Sequence, residues 1–400
     1  MTIDARRILT AQGVRAFVYG FGSVLLGVTL DARGWSGARV GLLLTAVVAG
    51  TALTSVLVGR YGDRIGRRRM YGLLFLGLAG AGFVFAFVDQ FWVLVAVALT
   101  GTLSTEVVES GPFTSLEQAM LPHIVEPGGR TRLFGVYNAA ATIVGSLGAL
   151  AAGAPALLRD TFTGAPTDQR YFLLFSAAGF LGAVIAHRLS HQADASVVRQ
   201  DSAPPLRHSR GRVQRLAALF ALDSFGGGFV IQSFIAYWFR ARFGVSIDTL
   251  GIIFFVVGLL QSVSFLASVR IAERAGLLNT MVFTHLPSNL LLAAIPMAPN
   301  VLIATALLLG RFALSQMDVP VRQAYVMALV EPEERTAAAA YSNTARYIVR
   351  PAGPALAGAA QQVAFGLPFF IAGGLKALYD ISLWLWFRRV PLGEDWSRSA

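Results

Sequence analysis

Apolar residues in this chain come in long runs, with short polar stretches between them. Twelve runs stand out, near 9–30, 38–58, 70–88, 91–110, 132–153, 171–189, 214–239, 249–269, 277–296, 301–320, 338–364 and 367–388. A helix needs about 20 apolar residues to cross the hydrocarbon core of a bilayer. The pattern therefore predicts an all-α membrane protein of about twelve transmembrane helices. Short connections force neighbouring spans to run antiparallel, and an even number leaves both termini on one side. Only 190–213 is long and polar, with His191, Asp194, Arg199, Asp201, Pro204, Pro205, Arg207 and Arg210. It reads as a flexible tether between two halves of six spans each, 1–189 and 214–400.

Composition agrees. Of the 400 residues 55% are hydrophobic and 14% charged, against about 25% charged in ordinary soluble domains. Lys and Arg number 33 against 22 Asp and Glu. Such an excess of base could point to nucleic acid, but the cations sit in short loops beside apolar runs, so the partner is the lipid bilayer and not nucleic acid. Twenty-two Arg lie on the side of the termini and six on the other, which predicts cytoplasmic termini. The polar start Met1–Leu9, with Arg6 and Arg7, does not read as a cleaved leader. There is no Cys, which removes disulfides and thiolate sites. No Gly-x4-Gly-Lys-Ser/Thr, His-Glu-x-x-His or Gly-x-Ser-x-Gly occurs, so neither an ATP pump nor a hydrolase is expected.

The chain also repeats itself. Laid over Pro320–Gly358, the stretch Ser115–Gly153 matches at 14 of 39 positions, at a constant shift of 205. About four matches are expected by chance in so Ala- and Gly-rich a composition. Gln118 and Ala119 match Gln323 and Ala324; Val125, Glu126 and Pro127 match Val330, Glu331 and Pro332; Arg130 and Thr131 match Arg335 and Thr336. Half-length repeats in an apolar chain are the mark of transporters built from parallel repeats.

The loop Gly59-Arg60-Tyr61-Gly62-Asp63-Arg64-Ile65-Gly66-Arg67-Arg68-Arg69 resembles the signature Gly-x-Leu-Ala-Asp-Arg-x-Gly-Arg-Lys of the major facilitator superfamily. Gly59, Asp63, Arg64, Gly66 and Arg67 match it, while Tyr61 and Gly62 depart from it. A weaker echo, Glu273-Arg274-Ala275-Gly276, falls after the eighth run, where that superfamily has its second copy. The two Glu-Pro turns, each followed by Arg-Thr, resemble its turns into spans five and eleven. The resemblance covers the whole chain and leans toward drug/proton antiporters. It implies two pseudo-symmetric six-helix bundles around a central cavity, a monomer, and a cytoplasmic latch formed by Gly59, Asp63, Arg64, Gly66 and Arg67 with Glu273 and Arg274. Two departures count against a direct transfer of the antiporter mechanism. The fourth run has Glu106 and Glu109 where drug antiporters carry an Arg, and the fifth-span Gly-Pro motif is reduced to Gly145-Ser146-Leu147-Gly148.

Ionisable groups inside a membrane are costly, so each is a functional candidate. Glu106, Glu109, Asp223 and Asp318 are the acids that suit proton coupling, with Glu109 and Asp318 nearer the cytoplasmic ends and open to solvation. Arg15, Arg311, Arg346, Arg350, Gln232 and Asn343 are candidates for lining a cavity. At the repeat shift Glu106 falls on Arg311 and Glu117 on Arg322, and an overlay pinned on Phe17 and Phe225 puts Arg15 on Asp223. These opposite charges would pair across the halves, or else each is neutralised within its own half, as Arg311 by Asp318. Lys376 and Asp380 read as a self-contained pair, and His285 with Asn289 as polar packing. Gly226-Gly227-Gly228 predicts a bend, a face close to cargo, or tight helix packing. Pro351 and Pro354 predict a kink.

The expectation is a secondary active transporter in a bacterial inner membrane, exporting a small organic solute against proton entry, with no cofactor or metal. Uptake symport and uniport are the alternatives, and a receptor or enzyme on the same scaffold is the competing class. The cations of the second half point to an anionic cargo.

Overall fold

A computed structural model describes residues 2–104, 111–124, 130–162, 164, 166–190, 206, 209–331 and 334–390. The described residues form helices and no strands. In chain order the helices are α1 (Ile3–Ala32), α2 (Gly37–Ile65), α3 (Arg67–Phe87), α4 (Phe91–Ala98), α5 (Pro112–Ile124), α6 (Arg130–Ala151), α7 (Ala154–Thr161), α8 (Leu173–His187), α9 (Arg210–Gly228), α10 (Gln232–Phe243), α11 (Ile247–Ala275), α12 (Leu277–Ala294), α13 (Val301–Ser315), α14 (Asp318–Leu329), α15 (Arg335–Val349), α16 (Ala352–Val363) and α17 (Leu367–Phe387). Among the described residues, nine helical stretches are long and apolar enough to cross a membrane. α17 is 21 residues long but carries Lys376 and Asp380, and it is not one of the nine. Side chains such as Val56 and Leu266, 67% and 71% exposed, are suited to lipid.

The sequence repeat is a structural repeat. α2 and α11 are each 29 residues long. Each runs into a glycine with positive φ, Gly66 at 94° and Gly276 at 81°, a conformation that a Cβ disfavours. One residue on, α3 and α12 begin. α5 ends at Ile124 and α14 at Leu329, while α6 begins at Arg130 and α15 at Arg335; both offsets equal the 205-residue shift. The halves diverge at Pro351. There α15 stops and α16 resumes, because proline offers no N–H and clashes with the preceding turn. α6 has no proline and runs on to Ala151.

Several predicted spans are interrupted. Within the described part of the run near 91–110, the helix ends at Ala98 and the chain turns at Gly101, with φ 69°. The run 214–239 is two helices, α9 and α10, parted after Gly228. α5 and α14 are short helices lying between predicted spans.

The chain forms two compact units. One comprises Met1–Val197 with Gln232–Leu259, and the other Val198–Ile231 with Leu260–Ala400. α10 belongs with the first because it lies along α1. The Gln232 amide donates to the Ser23 hydroxyl at 2.7 Å, and Arg240 meets Asp31 at 3.6 Å.

Candidate functional site

Each unit buries its own constellation of charge. In the first, Arg15 of α1 donates to Glu117 of α5 at 2.8 Å. Tyr71 of α3 donates to the other carboxylate oxygen at 2.6 Å, and the Tyr137 hydroxyl of α6 donates to the oxygen that Arg15 uses. Glu117 is 0% exposed. The guanidinium carbon lies 5.4 Å from the Tyr19 ring centre and 5.2 Å from that of Phe113. A buried charge is tolerable only when paired and hydrogen-bonded. Here three donors from three helices, joined through one carboxylate on a fourth, meet that condition.

In the second unit Asp223 of α9 is the common acceptor. The Lys376 ammonium of α17 donates to it at 2.5 Å, and Arg322 of α14 at 3.5 Å. Arg322 also meets Asp318, one turn earlier on the same helix, at 3.0 Å. His285 of α12 faces Asp223 through Nε2 at 3.8 Å and Asp380 of α17 through Nδ1 at 2.9 Å. The Asn289 amide donates to Asp380 at 2.8 Å. All of these residues are buried. The glycine triplet makes room for this network. A Cβ on Gly226 would lie 3.1 Å from the Lys376 side chain, and one on Gly228 would lie 2.5 Å from the Arg350 carbonyl oxygen and 3.1 Å from the Gly353 Cα. The triplet thus ends α9 and also permits close packing.

Arg311 of α13 differs from the other buried cations. It is 7% exposed and lies over the Phe312 ring at 4.5 Å, within electrostatic reach of Asp223. Its Nε and Nη1 have no hydrogen-bond partner among the described residues.

These pairings choose between two readings of the opposed charges and correct three expectations. Arg15 and Asp223 are each neutralised inside their own unit. Lys376 pairs with Asp223, and Asp380 with His285, so the two are not a self-contained pair. Asp318 takes Arg322 and leaves Arg311 without it. Asp318 is also buried, at 3% exposure, and is not solvated. Sequence reasoning underrated Glu117, His285, Lys376 and Asp380. The available signal was the four-residue spacing of His285 with Asn289 and of Lys376 with Asp380, which puts each pair on one helix face.

Of the remaining candidates, Glu106 and Glu109 lie outside the described residues, as does the side chain of Asp63. Gly59 and Arg64 are exposed, and so are Glu273 and Arg274. Arg67 is buried and donates to the Ala119 carbonyl of α5 at 3.0 Å. Arg346 and Arg350 are half-buried, Gln232 contacts Ser23 as above, and Asn343 is exposed. No group of His, Asp and Glu suited to a metal occurs among the described residues.

The family model described as Major Facilitator Superfamily matches residues 8–354. The uncharacterized membrane protein YJR124C of Saccharomyces cerevisiae is 28% identical over 418 residues, covering 95% of this chain and 93% of its own length. The uncharacterized MFS-type transporter YceJ of Bacillus subtilis is 23% identical over 337 residues, covering 83% and 80% respectively. Among solved structures, the nucleoside transporter NupG superposes with a TM-score of 0.73 at 13% identity, over 97% of this chain and 100% of that one.

Proposed function

The chain belongs to the major facilitator superfamily and is a multi-pass membrane transporter, not an enzyme, and from that premise we propose that it couples proton entry to the export of a small organic solute bearing a negative charge. The moving parts we assign are the related halves 1–189 and 214–400, tethered by 190–213, with both termini in the cytoplasm of a bacterium. The proton gradient is the energy source, no cofactor takes part, and the protein works as a monomer.

The observation that carries this reading is the Asp223 network. Carboxylates buried inside spans and shared among several cations are costly to keep. They change partners when a proton or a charged solute arrives. Arg311 supports the anionic cargo, because a desolvated guanidinium whose Nε and Nη1 have no hydrogen-bond partner among the described residues gains most from a carboxylate or phosphate. Arg346 and Arg350 add positive charge to the same half. The direction, export, is taken from the lean of the sequence resemblance toward drug/proton antiporters; the signature loop at Gly59–Arg67 is common to the superfamily and carries no direction.

The test is transport by the purified chain in proteoliposomes under an imposed pH gradient. A panel of anionic, neutral and cationic solutes is offered and the lumen is assayed by mass spectrometry. Anions should move, and Arg311→Gln should slow them about tenfold or more. Equal movement of cations, or indifference to Arg311→Gln, would remove the anionic assignment.

A further inference from the structure

In the Asp223 cluster one buried carboxylate, Asp380, has no Lys or Arg in contact with it among the described residues. Asp223 has Lys376 at 2.5 Å, and Arg322 at 3.5 Å. Asp318 has Arg322 at 3.0 Å. Asp380 is 0% exposed and meets neither Lys nor Arg among the described residues. Its partners are the amide of Asn289, which brings no charge, and the ring of His285. A buried carboxylate in that position is compensated only if His285 is an imidazolium or if the acid itself is protonated.

We propose that His285 and Asp380 together form a reversible proton-binding site, and that this proton is the one coupled to transport. The inference rests on the proton-coupled reading above and adds to it where the proton is held. The ring is placed for the task. Nδ1 is 2.9 Å from Asp380 and Nε2 is 3.8 Å from Asp223, so a protonated ring presents one N–H to each of two carboxylates on different helices. A neutral ring offers one N–H and leaves the other nitrogen facing an anion.

The groups around the ring supply a response to proton loss. α17 contributes Lys376, Asp380 and Tyr379, whose ring stands edge-on to His285 at 5.8 Å. α9 contributes Asp223, within electrostatic reach of Arg311 on α13, α14 contributes Asp318 with its partner Arg322, and α12 itself contributes Asn289. Lys376 and Asp380 are one helical turn apart. When the proton leaves, Asp380 becomes an uncompensated anion and competes for the Lys376 ammonium with Asp223. Asp223 sits one turn before the glycines that end α9, so the protonation state bears on the helix that is broken at Gly228.

The experiment is nitrogen NMR on the full-length protein in detergent, with 15N labels on histidine and neither solute nor gradient present. The chain has five histidines. The His285 signal is assigned by its loss in His285→Asn or, if that variant does not fold, by replacing the other four. We expect His285 to pass from doubly protonated to neutral between about pH 5 and 9, with Asp380→Asn moving the midpoint down by about one pH unit. A ring neutral throughout, charged throughout, or indifferent to Asp380→Asn would overturn the site. A ring that titrates in a protein that moves no protons in proteoliposomes would overturn the coupling alone and leave the bound proton standing.

Discussion

Arg15 donates to Glu117 at 2.8 Å, and the positions these two residues hold in the first repeat belong in the second to Asp223 and Arg322, which meet at 3.5 Å with their signs exchanged. The repeat has kept a buried ion pair between its first helix and the short helix before its fifth span while inverting the polarity. The first unit's version is closed, with hydroxyls filling the carboxylate. The second unit's version is opened up by Lys376, His285 and Asp380, so that one acid serves several partners.

The closed pair is expected to be structural. Glu117→Gln leaves a buried guanidinium without a counter-charge and should cost about 3–5 kcal/mol, read as a lowered thermal midpoint in detergent. Arg15→Met combined with Glu117→Gln should recover part of that loss. A double variant as unstable as the sum of the singles would mean that the two residues act independently.

In the open cluster, Lys376→Met strips Asp223 of its nearest cation and should destabilise the protein. Asp223→Asn added to it should restore stability, because Arg322 keeps Asp318 as its partner. The same thermal midpoints decide this, and failure of the second change to rescue the first would point to a Lys376 partner other than Asp223.

The glycines of the signature loop separate by backbone conformation. Gly66→Ala and Gly276→Ala force a Cβ into a positive-φ, extended-ψ conformation (φ 94°, ψ 126° and φ 81°, ψ 160°) and should each cost about 1–3 kcal/mol. Gly59→Ala, where a Cβ would meet nothing within 4 Å, should stabilise its helix by about 0.5–1 kcal/mol. Chemical denaturation of the three variants side by side is the check.

At the α9 break, Gly228→Leu should prevent the approach of Arg350 and Gly353 and abolish a well-folded product, seen as aggregation on size-exclusion chromatography. Gly227→Ala, whose nearest neighbour is the Lys376 side chain at 3.7 Å, should be tolerated.

The apolar runs and the internal repeat made the membrane class, the helical fold and the two related halves legible in the sequence. The repeat even marked where α5 and α14 end, although their mixed composition, with Glu117 and Gln118 in one and Arg322 and Gln323 in the other, hid them from a search for spans. Partner choice was not legible. Arg15 and Glu117 are 102 residues apart, Asp223 and Lys376 are 153, and His285 and Asp380 are 95. Which face of each helix turns inward is decided by packing between helices distant in sequence. Spacing of four along one helix gave Lys376 and Asp380 a shared face but not a shared bond, since neighbouring helices offered each a better partner.

Proton coupling through the Asp223 network is tested most directly by proton movement into proteoliposomes carrying a trapped pH dye. The signal is recorded as anionic solutes are added, for the wild-type protein and for Asp223→Asn. We expect acidification of the lumen that depends on one class of anion and disappears in Asp223→Asn while the folded protein is retained. Solute movement with no accompanying proton, or proton movement undiminished in Asp223→Asn, would contradict coupling there and return the Asp223 network to a purely structural role.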